Sequence, residues 1–163
     1  TISVWVNPKS WTSSSSADAI IVKRTALNDG YFMFRFNQTN TINIDFGGNA
    51  QRWDTGYLPP TNSWTYLTYS YNGTNGKFYV NGVLNGTTSL GNSPNIATSS
   101  NLIIGRDSSA NQYPFNGSID DVMIFNKALA LSDIRKLYES LYAIIWLITI
   151  YEITILLNNK YLN

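Results

Sequence analysis

The chain contains no cysteine and no histidine, and those two absences remove whole classes of chemistry. Cysteine- or histidine-ligated zinc, Ser–His and Cys–His nucleophilic pairs and histidine acid–base catalysis all need a side chain that is not there. The lack of thiols leaves the compartment open, because exported proteins without cysteine are common. Charge is scarce too. Asp, Glu, Lys and Arg make up 13% of the 163 residues and the net charge is +1, against roughly 25% charged in an average domain. No basic field exists to gather nucleic acid or an acidic membrane surface. Glutamate occurs only at Glu139 and Glu152.

Polarity comes instead from 20 Asn and 32 Ser plus Thr. That gives a neutral, hydrogen-bonding surface of the kind common on secreted β-proteins. The length suits one domain with a core of its own, without metal or disulfide support.

Short β-branched and aromatic runs dominate through residue 126: ISVWV (2–6), AIIVKR (19–24), YFMFRF (31–36), TINIDF (41–46), WTYLTYSY (64–71), KFYVNGVL (77–84), NLIIG (101–105) and SIDDVMIF (118–125). Turn-forming clusters separate them, which predicts an all-β sandwich or barrel. Phe78 and Val80 point one way and Tyr79 the other, so one outer face is expected to be partly covered. LSDIRKLYES (131–140) is the one clean helix, with Ser132 as expected N-cap and Ile134, Leu137, Tyr138 and Leu141 as its apolar stripe.

YNGTNGKFYVNGVLNG (71–86) holds four Asn-Gly pairs. Asn81-Gly82, between two apolar dipeptides, predicts a tight hairpin, because both central residues of a type I′ turn need positive φ. Asn72-Gly73 through Asn75-Gly76 is expected to join two strands, and Asn85-Gly86 to end the next one. Asn37, Asn72, Asn85 and Asn116 also begin glycosylation sequons, which an Asn- and Thr-rich chain generates by chance as well. The opening TISVWVNP already alternates like the middle of a buried strand, so the chain is expected to begin inside its domain.

Trp64 at a strand start, YNGTNGKFYVNGVL, and above all LIIGRDSSANQYPFNGSIDDVMIFNKALALSDIRKLY together resemble the laminin-G-like domains of the concanavalin A-like lectin/glucanase superfamily; TISVWVNP resembles the family's early tryptophan strand. The resemblance covers roughly residues 1 to 140. It implies an all-β fold, a two-sheet antiparallel jelly-roll sandwich with one short C-terminal helix and without its first strands. It also implies a non-catalytic module of a larger secreted or surface protein, with a glycan or an extracellular protein as partner. A structural or adhesion spacer without a small ligand is the competing class, and a glycoside hydrolase-like domain a remote one.

A retaining glycosidase needs two carboxyl groups about 5–5.5 Å apart. The two glutamates lie beyond the strands, and Asp120 and Asp121 are neighbours whose side chains should face opposite ways. No catalytic residue is therefore expected. One of that aspartate pair should lie near the core and need partners. The resemblance implies Asp120 as the inward group, beside a structural calcium in some family members; the simpler reading is a carboxylate bonded to backbone amides. Candidate ligand contacts are Trp53, Asp54 and Tyr57 in the loop-like NAQRWDTGYLPP, and Arg106, Asp107, Asn111 and Tyr113 in GRDSSANQYPFNG. Aromatic faces can stack on sugar rings and Asp or Asn oxygens fix hydroxyls. The plainer alternatives are Trp53 closing one end of the core and Arg106 tying a loop.

Residues 141–163 form a hydrophobic tail outside this pattern. LYAIIWLITIYEITILL (141–157) would span about 25 Å as a helix, short of a bilayer core of about 30 Å. Glu152 opposes insertion, so anchoring would be marginal. Strands filling sheet edges, or sequence with no selected role, are the other readings.

Overall fold

The computed structural model describes residues 1–12, 17–24, 30–36, 40–46, 52–89, 99–107 and 113–140. Ten strands follow one another: β1 (Ile2–Pro8), β2 (Ala17–Lys23), β3 (Tyr31–Phe36), β4 (Thr41–Phe46), β5 (Arg52–Asp54), β6 (Thr65–Tyr71), β7 (Asn75–Val80), β8 (Val83–Ser89), β9 (Ile103–Ile104) and β10 (Gly117–Ile124). They form two five-stranded sheets, ordered β10-β1-β6-β7-β8 and β5-β4-β3-β2-β9. Every pairing is antiparallel. The strands named from sequence all form; β5 is the addition.

The core lies between the sheets. Val4, Val6, Leu67, Tyr69 and Phe78 of the first meet Ile20, Ile21, Met33, Ile42 and Ile44 of the second in one buried cluster. Each fully buried aliphatic or aromatic side chain contributes about 1.5–3 kcal/mol. β2 is buried from Ala17 to Val22 because a bulge breaks its alternation. Ala19 pairs with Phe34 and Ile21 with Met33, leaving Ile20 as the extra residue. Ile20 and Ile21 both reach the core, while Ala17, Ala19 and Val22 form a separate cluster with Tyr113.

Residues 131–140 are helical (α1) and cover the outer face of the first sheet. Ile134, fully buried, and Leu129 pack on Tyr79. The Tyr138 ring stacks on Trp5 with centroids 5.7 Å apart. The covered outer face expected from Phe78, Tyr79 and Val80 is thus present. The cap is not where the sequence suggested. Asp133 and Ile134 N–H groups donate to the Ala130 carbonyl, each at 3.1 Å. Ser132 therefore sits inside the first turn, one residue past the helix start at 131.

The Asn-Gly pairs divide by role. Asn81 (φ 50) and Gly82 (φ 75) make the tight turn between β7 and β8. Asn81 locks it from outside, its Oδ1 accepting the Tyr66 N–H at 2.9 Å and its own N–H donating to Tyr66 O at 2.8 Å. Asn72 Oδ1 accepts from the amides of Thr74 and Asn75 at 3.0 and 2.7 Å, shaping the β6–β7 turn. Asn75-Gly76 instead opens β7. Asn85-Gly86 does not end β8 but sits within it: Phe78 pairs with Gly86 and Tyr79 with Leu84, so Asn85 is a bulge. A Cβ on Gly82 would stand 3.4 Å from Tyr138 and require a strained φ. Gly82→Val should accordingly lower stability by more than about 1 kcal/mol; an unchanged denaturation midpoint would contradict this turn.

Candidate functional site

The acidic pair on β10 is arranged differently from simple alternation. Ser3 pairs with Met123 and Trp5 with Asp120, so Asp121 and Val122 together oppose Val4. The extra residue is Asp121, at φ 45, a region Asp tolerates better than β-branched residues. This bulge shifts the phase: Ile119 and Val122 both pack on the core, and both carboxylates are exposed. The expectation that Asp120 turns inward is corrected by that one inserted residue. Asp120 Oδ1 accepts the Asp121 N–H at 2.8 Å, steadying the bulge. Calcium takes six to eight oxygen ligands. Among the described residues no three Asp, Glu, His or Cys side chains gather at one place.

The six candidate ligand residues within the described part of the chain do not converge. Trp53 is not in a loop but in β5, opposite Ile44. Its ring lies 6.3 Å from both Tyr69 and Phe78, inside the sandwich. The three-residue strand was missed because polar Arg52 and Asp54 flank its single apolar residue. Tyr57 packs on the same core. Asp54 is exposed and caps its own turn, accepting from the Thr41 hydroxyl and, at 3.0 Å, from the Gly56 amide. Asp107 is buried and ion-paired with Arg24. Arg106 is exposed. Tyr113 lies against Ala17, Ala19 and Val22, its carbonyl accepting the Ala19 N–H at 2.9 Å. Asn111 lies outside the described residues. β5 and β2 are separated by β4 and β3, which places Asp54 and Tyr113 about 14 Å apart across the sheet.

A cavity lies at the Lys23 end of β2, about 20 Å along that strand from Ala17. It holds about 600 Å³. Its apolar walls include Ile2, Tyr69, Leu102, Ile124 and Phe125, and its polar groups Lys23, Tyr71, Asn72, Asn126 and Lys127. Tyr71 and Asn72 end β6, Lys23 ends β2 and Ile124 ends β10. Burial, and secondarily Tyr71, push the Tyr69 hydroxyl well above its ordinary pKa, so it remains a neutral group. Leu102 and Ile124 are 41% and 55% exposed, large apolar surfaces at an open rim. Sequence reading missed this site, since its residues are distant along the chain and only the sheet order assembles them. The one signal was the YNGTNGK turn, read for its backbone alone.

Two antiparallel five-stranded layers around one core, with an open end cavity, define a β-sandwich of binding-module type. A laminin-G family model of the concanavalin A-like lectin/glucanases superfamily matches residues 1–135, and the chain belongs to that superfamily. Similar solved structures include domain 4 of an extracellular arabinanase from Geobacillus stearothermophilus in complex with arabinotriose, at TM-score 0.65 and 22% identity over 84% of this chain and 65% of that one. A candidate carbohydrate-binding protein from Bacteroides ovatus gives TM-score 0.68 and 15% identity over 82% and 39%. The receptor binding domain of botulinum neurotoxin D gives 0.59 and 24% over 85% and 36%. The human (Homo sapiens) adhesion G-protein coupled receptor D1 is 25% identical over 117 residues, 70% of this chain and 13% of that protein. The chain thus spans less than two thirds of each of these relatives. The fold and family expected from the sequence stand.

Proposed function

We propose that the chain is a non-catalytic carbohydrate-binding module of a larger secreted or surface protein, taking its ligand in the cavity at the Tyr71–Asn72 end. The observation that carries this reading is the cavity itself: about 600 Å³, largely apolar, with a tyrosine ring and a few convergent polar groups. Small-ligand sites occupy about 300–1,000 Å³ and have that make-up. A sugar ring has one face that packs on an aromatic ring and hydroxyls that suit Asn and Lys. The arabinanase domain bound to arabinotriose supports the ligand class. Among the described residues no carboxylate lines the cavity. Of the buried aspartates, Asp45 and Asp107 are held by Arg52 and Arg24 and Asp18 accepts from the Thr12 amide and hydroxyl, so none of the three is offered to the cavity as half of the acid–base pair that glycoside hydrolysis needs.

Protein binding is the second reading. The adhesion-receptor relative favours it, as does edge strand β8, where Val83 and Leu84 are 61% and 46% exposed. Membrane anchoring through residues 141–157 lies outside the described residues; within them no helix is long and apolar enough to cross a membrane.

A glycan array probed with the unmodified protein and with Tyr71→Ala separates these readings. Retention of at least one glycan, weakened about tenfold or more by Tyr71→Ala without loss of folding, is the expected result. An empty array would sink the carbohydrate reading, and binding indifferent to Tyr71→Ala would place the site elsewhere.

A further inference from the structure

We infer that the glycan taken at this end is an acidic one, its anionic groups spread over at least two consecutive sugar residues. The inference rests on the cavity being a glycan site and narrows the ligand class.

The cavity does not stand alone. A second cleft of about 140 Å³ adjoins it, on the outer face of the first sheet beside the start of α1. The two share Asn72 and Ala128 as their common rim. Lys23 and Lys127 line the cavity, and Lys77 lines the cleft. Neither lining contains an Asp or a Glu. Three of the five lysines in the described residues thus line one or the other of these two neighbouring clefts. Asp54, Asp120, Asp121 and Glu139, all exposed, and half-buried Asp133 line neither.

Among the described residues no carboxylate is paired with any of these three lysines. The ion pairs among the described residues are Arg24–Asp107 and Arg52–Asp45. Lys23 Nζ donates to the Ser100 carbonyl, which leaves two of its three protons for a ligand. A neutral sugar would gain only ordinary hydrogen bonds from such groups. A carboxylate or sulfate would gain charge-assisted bonds, roughly twice as strong, from these ammonium groups. Ser70, Asn75 and Tyr79 in the cleft, with Tyr71 and Asn72 across the rim, supply polar contacts for sugar hydroxyls. Two compartments joined over a rim suit two neighbouring residues of one chain. With a net charge of only +1, the positive character is local and vanishes from the overall balance.

The test titrates the full chain calorimetrically with four probes. Tetragalacturonate supplies carboxylates, a chondroitin sulfate tetrasaccharide supplies sulfates as well, methyl-esterified tetragalacturonate is the neutral counterpart, and tripolyphosphate is charge without sugar. At least one acidic tetrasaccharide should bind, the ester at least about tenfold more weakly, and tripolyphosphate weaker still. Lys77→Ala and Lys127→Ala should each cost about tenfold with the fold intact, and raised salt should weaken binding. Which tetrasaccharide wins tells carboxylate from sulfate. An ester that binds as tightly as the acid overturns the charge inference and leaves the glycan reading standing. So does failure of both acidic probes while the array still shows Tyr71-dependent binding of neutral sugars. Tripolyphosphate binding as tightly, with Tyr71→Ala without effect, overturns both.

Discussion

Replacing Asp107 by alanine is expected to destabilise the domain by about 3–5 kcal/mol, because it strands a buried guanidinium. Arg24 Nε donates to Asp107 Oδ1 at 3.0 Å and its NH2 group to Oδ2. The two side chains are only 4% and 2% exposed. The pair ties the end of β2 to the segment after β9, across the edge of the second sheet. Asp107→Asn should cost less, since the amide oxygen can still accept one bond. Denaturant unfolding measures both changes. A loss below about 1 kcal/mol for Asp107→Ala would mean that the pair is not a closing element of the sandwich, and would reopen Asp107 as a ligand group.

Phe78→Ala is the second large effect, about 3–5 kcal/mol. Phe78 is fully buried, pairs across the ladder with Tyr69, and meets the Trp53 ring edge-on at an interplanar angle of 89°. Deleting the ring removes its apolar burial and leaves a cavity between the sheets that rigid strands cannot close. Phe78→Leu keeps most of the volume and should cost under about 1.5 kcal/mol. Equal losses for the two variants would contradict a tightly packed core at this point.

The strands were legible because their signal is local: YFMFRF and TINIDF carry enough β-branched and aromatic residues to set β3 and β4 residue for residue. Asn81-Gly82 was legible because a two-residue turn leaves little choice of side chain. Bulges were not. Each inserts one residue and reverses the facing of all that follows: alternation in SIDDVMIF put one aspartate near the core and the resemblance implied Asp120, whereas the bulge at Asp121 leaves both outside. Trp53 shows the same limit in another form. Its polar stretch reads as a loop and hides β5, although the reading of Trp53 as closing the core is the one its packing bears out. The cavity was the least legible feature. Lys23, Tyr71, Leu102 and Ile124 come from four separate segments, and no spacing along the chain relates them. The tail from 141 lies outside the described residues, so its role as anchor, strand or unselected sequence is a matter for experiment.

The central claim is that ligand enters at the Tyr71–Asn72 end of the sandwich. Backbone amide shifts of the isotope-labelled protein, followed by NMR during titration with the best ligand from the array, test it most directly. The account predicts that the largest changes fall on residues 69–72, 75–77, 102 and 124–128. Changes concentrated on residues 17–19, 54–57 and 113, at the opposite end, would contradict it.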